Sequence, residues 1–363
     1  MPHPCYNSRV RSLLIPLLLF FDAAADPSWW KVQTTGFDTN LRGVSVVNIS
    51  NENGKRLVVV WASGSNGAVL RSIDEGKSWQ QLHVSGGEKL DFRGFVAVNE
   101  KIAYLMSSGE GHSSRIYKTT DAGQTWTLQF SDPRKEFFLD SIACISESNC
   151  LALSDPVDGK FLLLHTSDGR HWKPLPPGHM PEALKGEGAF AASNSSLVFA
   201  KENEIFFGTG GPAARVFHSS NLGITWTVSE TPIAHSNSAS GIFALCFSEN
   251  HRLLAVGGDY QHPNQTALSS AYSLDAGATW KLSVQLPGGY RSALVRVEDS
   301  RWVTLGPNGS DVSDDFGLHW LRADSLNLNA ASMLDSQTGW AVGPHGTIAR
   351  FVNHFTPSSH SRP

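Results

Sequence analysis

The stretch "RSIDEGKSW", residues 71–79, decides how the rest of the chain is read, because near copies return at "TTDAGQTW" (119–126), "SLDAGATW" (273–280) and "SDDFGLHW" (313–320). The shared pattern is Ser/Thr-x-Asp-x-Gly-x-x-Trp. Two drifted copies complete the set: "TSDGRHW" (166–172) is one residue short, and "SSNLGITW" (219–226) has Asn221 in the Asp place. An Asp or Asn side chain folds onto nearby backbone N–H groups, Ser or Thr reinforces the turn, and Gly takes a positive φ at no steric cost. The Trp opens the next strand and covers the turn, burying on the order of 200 Å². Six copies cannot all be active sites. Asp74, Asp121, Asp168, Asn221, Asp275 and Asp315 are therefore read as structural, and chemistry is sought at the other end of each repeat.

Working outward from each box gives a four-strand unit. A short strand precedes it ("SRIYKTT", "KFLLLHT", "ARVFHSS"), and before that comes a strand ending in a Gly- or Asp-rich loop ("AYLMSSGEG", "CLALSDPVDG", "EIFFGTGG", "LLAVGGDY"). Earlier still is a first apolar strand ("FRGFVAV", "LDSIACI", "GEGAFAA", "SGIFALCF", "YRSALVRV"), and a fourth follows the box ("WTLQF", "WTVSE", "WKLSV"). Four strands recurring every 40 to 54 residues or so are the signature of a β-propeller. Six units end at Trp79, Trp126, Trp172, Trp226, Trp280 and Trp320. A seventh begins at "LNAASML", runs through "GWAVGPHG" and "TIARF", and stops without a box. "SWWKVQTTG" (28–36) resembles the segments after the other boxes and is expected to supply its fourth strand, closing a seven-bladed, all-β wheel with no open edges.

Composition agrees: 363 residues, 40% hydrophobic and 17% charged, with 33 Gly and 18 Pro spread through the chain, suit a well-packed β protein. A formal charge of −4 gives no global basic field, so nucleic acid is excluded as a partner class. At the N-terminus Arg9 and Arg11 precede the apolar run "LLIPLLLFF" (13–21) and the small-residue stretch "DAAAD". This resembles a secretory signal peptide cut after Ala25, too short to span a bilayer. The expected organisation is residues 1–25 as signal, 26–353 as propeller and 354–363 as a short tail. The mature chain is expected to be secreted or periplasmic, without a transmembrane helix, and monomeric.

Cys144 and Cys150 bracket "CISESNC", a hairpin whose flanking strands lie side by side, so a disulfide fits; two buried thiols fit as well. No CxxC or Cys/His zinc spacing occurs, and the 14 His are scattered, so neither metal nor cofactor is expected. "GTGGPAAR" leads into a strand and lacks the helix N-terminus that a phosphate loop needs. Sequons stand at Asn48, Asn194, Asn264 and Asn308.

At its boxes the chain resembles the Asp-box, or bacterial neuraminidase repeat, superfamily. The ordering of "YKTTDAGQTWT", "GWAVGPHGTI" and seven inferred blades looks most like the photosystem II stability and assembly factor family. That resemblance implies a seven-bladed binding scaffold for the assembly of membrane complexes. Sialidases share the boxes more distantly; that resemblance implies an arginine triad, a Tyr/Glu nucleophilic pair and an Asp acid/base on six blades, with an Arg-Ile-Pro motif absent here.

In an up-and-down meander the boxes mark one face, while the starts of the first strands mark the other. Aligning the first strands at one position gives Arg42, Arg93, Asp140, Glu187, Ser240, Arg291 and Asn329, a polar ring expected at the channel mouth. Such a ring can tie blades together by ion pairs, bind an anion bidentately, or position an acid and a base. Tyr290 adjoins it as the one tyrosine suited to a sialidase-like nucleophile, with Asp140 and Glu187 as the carboxyl candidates. Asp155, Asp158, Glu110, His112, Asp259 and Tyr260 lie nearby and read as turn residues. The expected function is a binding or assembly scaffold whose ringed face takes a protein partner or an anionic or glycan ligand; the alternative is a sialidase-type glycoside hydrolase.

Overall fold

The computed structural model describes residues 28–33, 36–50, 56–176, 179–201, 203–248 and 251–355. The expected signal peptide and most of the expected tail lie outside these residues. The described chain forms seven antiparallel sheets, each the blade of a seven-bladed propeller. Blade 1 is built from Leu41–Ser50, Arg56–Gly64, Val69–Ser72 and Gln80–Gln81 in that order, and the later blades repeat the meander. Among the described residues the only helix is a single 3₁₀ turn, Gly111–Ser113, and none is long and apolar enough to cross a membrane.

Second strands are buried on both faces, as in Ala103–Ser107 and Trp302–Gly306, because each is covered by the neighbouring blades. The outermost strands shrink to two residues in four blades (Gln80–Gln81, Lys173–Pro174, Lys281–Leu282, Leu321–Arg322), all exposed but the half-buried Leu282, which leaves little edge for another chain to pair with. Apolar packing runs between blades. Among the described residues, seven buried clusters each join two neighbours; one of them links Trp340, Val342 and Ile348 of blade 7 to Leu41, Val44 and Val60 of blade 1.

Closure comes from the strand Trp30–Gln33, which pairs antiparallel with Ile348–Phe351 as the fourth strand of blade 7. Trp30 is buried against Phe351, ring centroids 5.3 Å apart. Gln33 accepts from the Trp340 indole at 2.9 Å and donates to the Glu75 carbonyl at 3.2 Å, so one side chain stitches the last blade to the box of the first.

The boxes fold as turns between third and fourth strands. In "TTDAGQTW" the Thr119 hydroxyl donates to Asp121 at 2.8 Å and accepts the Gly123 N–H at 2.9 Å. The Asp121 carboxylate also accepts the Thr125 N–H at 2.9 Å and the Thr125 hydroxyl at 2.6 Å. Glycine is not alone in the left-handed region. Glu75, Ala122, Leu222, Ala276 and Phe316, each just before the box Gly, also have positive φ, between 52° and 64°. The short box at 166–172 lacks that residue and turns on Gly169 alone (φ 66°).

Blade 4 departs from expectation. Its first strand is Leu197–Lys201, not "GEGAFAA". The small residues of 186–192 offer little to pack across a ladder, whereas Leu197, Val198 and Phe199 pair with Phe207, Phe206 and Ile205. Residues 186–192 instead run as an insertion held at the joint with blade 5, where Gly188 bridges Gly210 and Gly210 pairs with Gly241. That contact explains the glycine-rich "GTGGPAAR": a Cβ on Gly210 would sit 2.4 Å from the Ser240 carbonyl oxygen, and one on Gly241 (φ 157°) 2.3 Å from the Gly210 Cα. Cys144 and Cys150, opposite each other on the hairpin of blade 3, are joined by a disulfide, and Cys246 is a free thiol.

Candidate functional site

On the face opposite the boxes, all seven blades contribute to one axial cavity of about 500 Å³. Arg42, Arg93 and Asp140 enter it for the same local reason. Each is the extra residue of a bulge where the first strand begins: Leu41 pairs with Gly64 and Gly43 with Ser63, and the shift recurs at Phe92/Gly94 and at Leu139/Ser141. A bulge re-aims the unpaired side chain, here into the axis. Asn329 lines the cavity from blade 7, its amide donating to the Asn40 side chain at 2.8 Å and the Leu41 carbonyl at 2.7 Å.

Three members of the expected ring lie elsewhere. Glu187, its side chain fully buried, is clamped by Arg215, whose Nε donates at 2.8 Å and whose Nη2 closes a second bond, with the Thr209 hydroxyl adding a third at 2.6 Å. Arg291 is equally enclosed, with Nε donating to Asp311 at 2.6 Å and Nη1 to the Tyr290 carbonyl at 2.8 Å. Ser240 is 1% exposed and bonds to the Asn237 carbonyl. The reason is register. In blade 5 the bulge falls between Ile242 and Ala244, and in blade 6 Ala293 pairs with Leu305, so Phe243 and Ser292 stand where Arg42 stands in blade 1. Glu187 and Arg291 are thus committed to buried ion pairs within their own blades, with Arg215 and with Asp311.

The cavity is electrically divided. Arg42 and Arg93 both donate to the Ala191 carbonyl, each at 3.3 Å. Arg93 is braced through Nε by Asp91 at 2.7 Å, and the Arg42 Nε, buried, has no partner. Burial and then the neighbouring Arg93 push the Arg42 guanidinium below its ordinary value, yet it stays charged at any physiological pH. Blade 3 supplies the opposite charge. Asp155, placed by the register shift between Ser154 and Pro156, faces the cavity and accepts the Ala189 N–H at 2.9 Å. Burial raises its carboxyl to about 6. Asp140 is also driven well above its ordinary value, by burial and then by Asp155, against the pull of Arg93.

An aromatic wall completes the site from blades 4 to 6. Phe190 stacks on Phe243 at 3.8 Å, and Tyr290 meets Phe243 edge-on at 4.7 Å, with Tyr260 beyond. Burial pushes the Tyr290 phenol strongly upward, which makes it a poor nucleophile. Glu187 is held by Arg215, so the Asp140/Glu187 pair expected for a hydrolase is not assembled, and the sialidase alternative is not favoured. Asp158 and Glu110 are exposed, His112 reaches the Ser131 hydroxyl, and Asp259 ties down its own turn through His262 and Asn237. Among the described residues no group of three His, Cys, Asp or Glu side chains could hold a metal ion.

Asp155, Tyr260, Phe190, Phe243 and Ser292 are among the cavity residues that sequence reasoning missed as site members. "SDPVDG" looks like an ordinary turn, and nothing short of the ladder register reveals which residue of "SGIFALCF" is bulged.

Comparison with known proteins agrees with this architecture. Residues 28–287 match the family described as photosynthesis system II assembly factor YCF48. A photosystem II assembly protein Ycf48 from Synechococcus sp. (strain JA-2-3B'a(2-13)) is 24% identical over 226 residues, covering 59% of this chain and 56% of that protein. The chain thus spans about half the length of the curated relative it matches. Among solved structures, a YCF48 bound to a D1 peptide aligns with TM-score 0.60 at 14% identity, covering 90% of this chain and 98% of that one. YCF48 from Cyanidioschyzon merolae aligns with TM-score 0.61 at 16% identity, covering 90% and 99%. At such identities the structural likeness speaks for the fold; the sequence match over most of the propeller speaks for descent, and the chain belongs to the photosynthesis system II assembly factor YCF48 family.

Proposed function

We propose that the chain is a binding scaffold for protein assembly rather than an enzyme, and that it takes a segment of a partner protein into the axial cavity. The observation that carries this reading is the convergence of Arg42 and Arg93 on the Ala191 carbonyl. Two guanidiniums share one neutral acceptor there, beside a cavity whose volume lies within the usual range for ligand sites. An incoming carboxylate gives both a charged, bidentate partner in place of a shared carbonyl. A YCF48 relative that carries a D1 peptide supports a peptide as the occupant. Export is part of the proposal: Arg9, Arg11, the run at 13–21 and the stretch ending at Ala25 support delivery to a secreted or periplasmic location.

The test is a library of peptides with free or amidated C-termini, titrated against the wild type and Arg42→Ala/Arg93→Ala. Binding that needs the free carboxylate and weakens at least tenfold in the double variant, with the melting temperature held, supports the reading. Equal binding by both proteins would refute the assigned site. Mass measurement of the exported protein tests the cut after Ala25.

A further inference from the structure

The cavity carries charge that an anionic group alone leaves unused. Asp140 is 1% exposed, lines the cavity, and neither of its carboxyl oxygens has a hydrogen-bond partner. The backbone N–H nearest in role, that of Asp155, gives its hydrogen bond to the Phe138 carbonyl at 3.0 Å. A buried carboxyl without partners is costly and uncommon, and here a second carboxyl, Asp155, lies within electrostatic reach of it.

Resting on the reading of this cavity as the binding site, we infer that Asp140 and Asp155 form a subsite for an organic cation, the ammonium or guanidinium of an incoming side chain. Such a group donates to the orphaned oxygens and neutralises the pair. A hard metal ion fits less well. Calcium takes six to eight oxygens and magnesium a near-ideal octahedron, whereas this wall offers two carboxyls and, among the described residues, no third acidic or imidazole ligand. The surroundings favour a carbon-bearing cation as well, since Phe138, Phe190 and Phe243 line the same space. The occupant thus presents both signs of charge: a carboxylate to Arg42 and Arg93, and a basic group to Asp140 and Asp155.

Three probes of one shape separate the two halves: 2-phenylethylammonium, neutral 2-phenylethanol and phenylacetate, titrated by NMR against the wild type, Asp140→Asn and Arg93→Ala. The expected result is that the ammonium binds the wild type at least tenfold more tightly than the alcohol, and that Asp140→Asn abolishes this advantage while still binding phenylacetate. Equal binding of ammonium and alcohol to the wild type overturns the cation subsite, and phenylacetate binding that is lost in Arg93→Ala leaves the arginine reading standing. Ammonium binding without phenylacetate binding supports the subsite and removes the arginine reading, and failure of all three overturns both. Asp140→Asn keeps the side-chain shape, and its melting curve checks the fold.

Discussion

Arg42 and Arg93, from the first strands of adjacent blades, meet at one atom, the Ala191 carbonyl oxygen, each at 3.3 Å. Ala191 lies in the insertion of blade 4, so three blades set that geometry. Two bulges aim the arginines, and the backbone contact of Gly188 with Gly210 fixes the segment that carries Ala191.

This joint depends on glycine. Gly241→Ala is expected to destabilise the protein and to weaken peptide binding together, because its Cβ would strike the Gly210 backbone. Urea denaturation and peptide titration of the same variant check it; normal binding at normal stability would show that the insertion is held by something else.

The box face behaves differently. Asp121→Ala leaves the Thr125 N–H without its acceptor and the Thr119 hydroxyl without one partner, for an expected loss of about 1–2 kcal/mol in urea denaturation and no change in peptide affinity. Ala122→Gly, at φ 63°, is expected to gain stability by relieving a left-handed conformation, by about 1 kcal/mol at most. A loss of binding in Asp121→Ala at unchanged stability would reverse the roles assigned to the two faces.

The acid pair gives stability a particular pH dependence. The folded state raises Asp155 from 3.8 to about 6 and Asp140 well above its ordinary value. The folded protein therefore binds these protons more tightly than the unfolded chain. Their favourable contribution is complete below the unfolded value and is lost as pH rises through each folded value, about 6 for Asp155. Asp155→Asn keeps an acceptor for the Ala189 N–H and is expected to raise the melting temperature at pH 8, by up to about 3 kcal/mol of stability, with the advantage vanishing below about pH 4. An Asn variant less stable than wild type at pH 8 would mean that the carboxylate is held by a charge this account does not assign.

The hairpin disulfide closes a short loop, so Cys144→Ser/Cys150→Ser is expected to lose only about 2 kcal/mol. Comparing chemical denaturation of the wild type with and without reductant checks it independently.

The fold was readable because its signals are local. A box needs only an Asp, a Gly and a Trp within eight residues, and the seventh blade announces itself by lacking one. The strand at Trp30 could be matched to the gap by the same pattern. The site was readable in part. Arg42, Arg93, Asp140 and Asn329 sit where aligned first strands put them, but Ser240, Glu187 and Arg291 do not. Bulge position is a property of two paired strands, and one strand's residues do not reveal it. Phe243 took the place assigned to Ser240 because its ladder with Gly257 and Val256 shifts there. Glu187 left the ring because blade 4 starts its first strand later, at Leu197. Asp155 was passed over since its turn-like setting hides a bulge that points it inward.

The most direct measurement of the central claim is photo-cross-linking of the partner peptide to the protein carrying benzoylphenylalanine at Phe190, in the cavity wall, or at Ile73, exposed on the box face. Binding in the axial cavity predicts strong cross-linking from position 190, abolished by Arg42→Ala/Arg93→Ala, and background levels from position 73. Cross-linking from position 73 with none from 190 would contradict it.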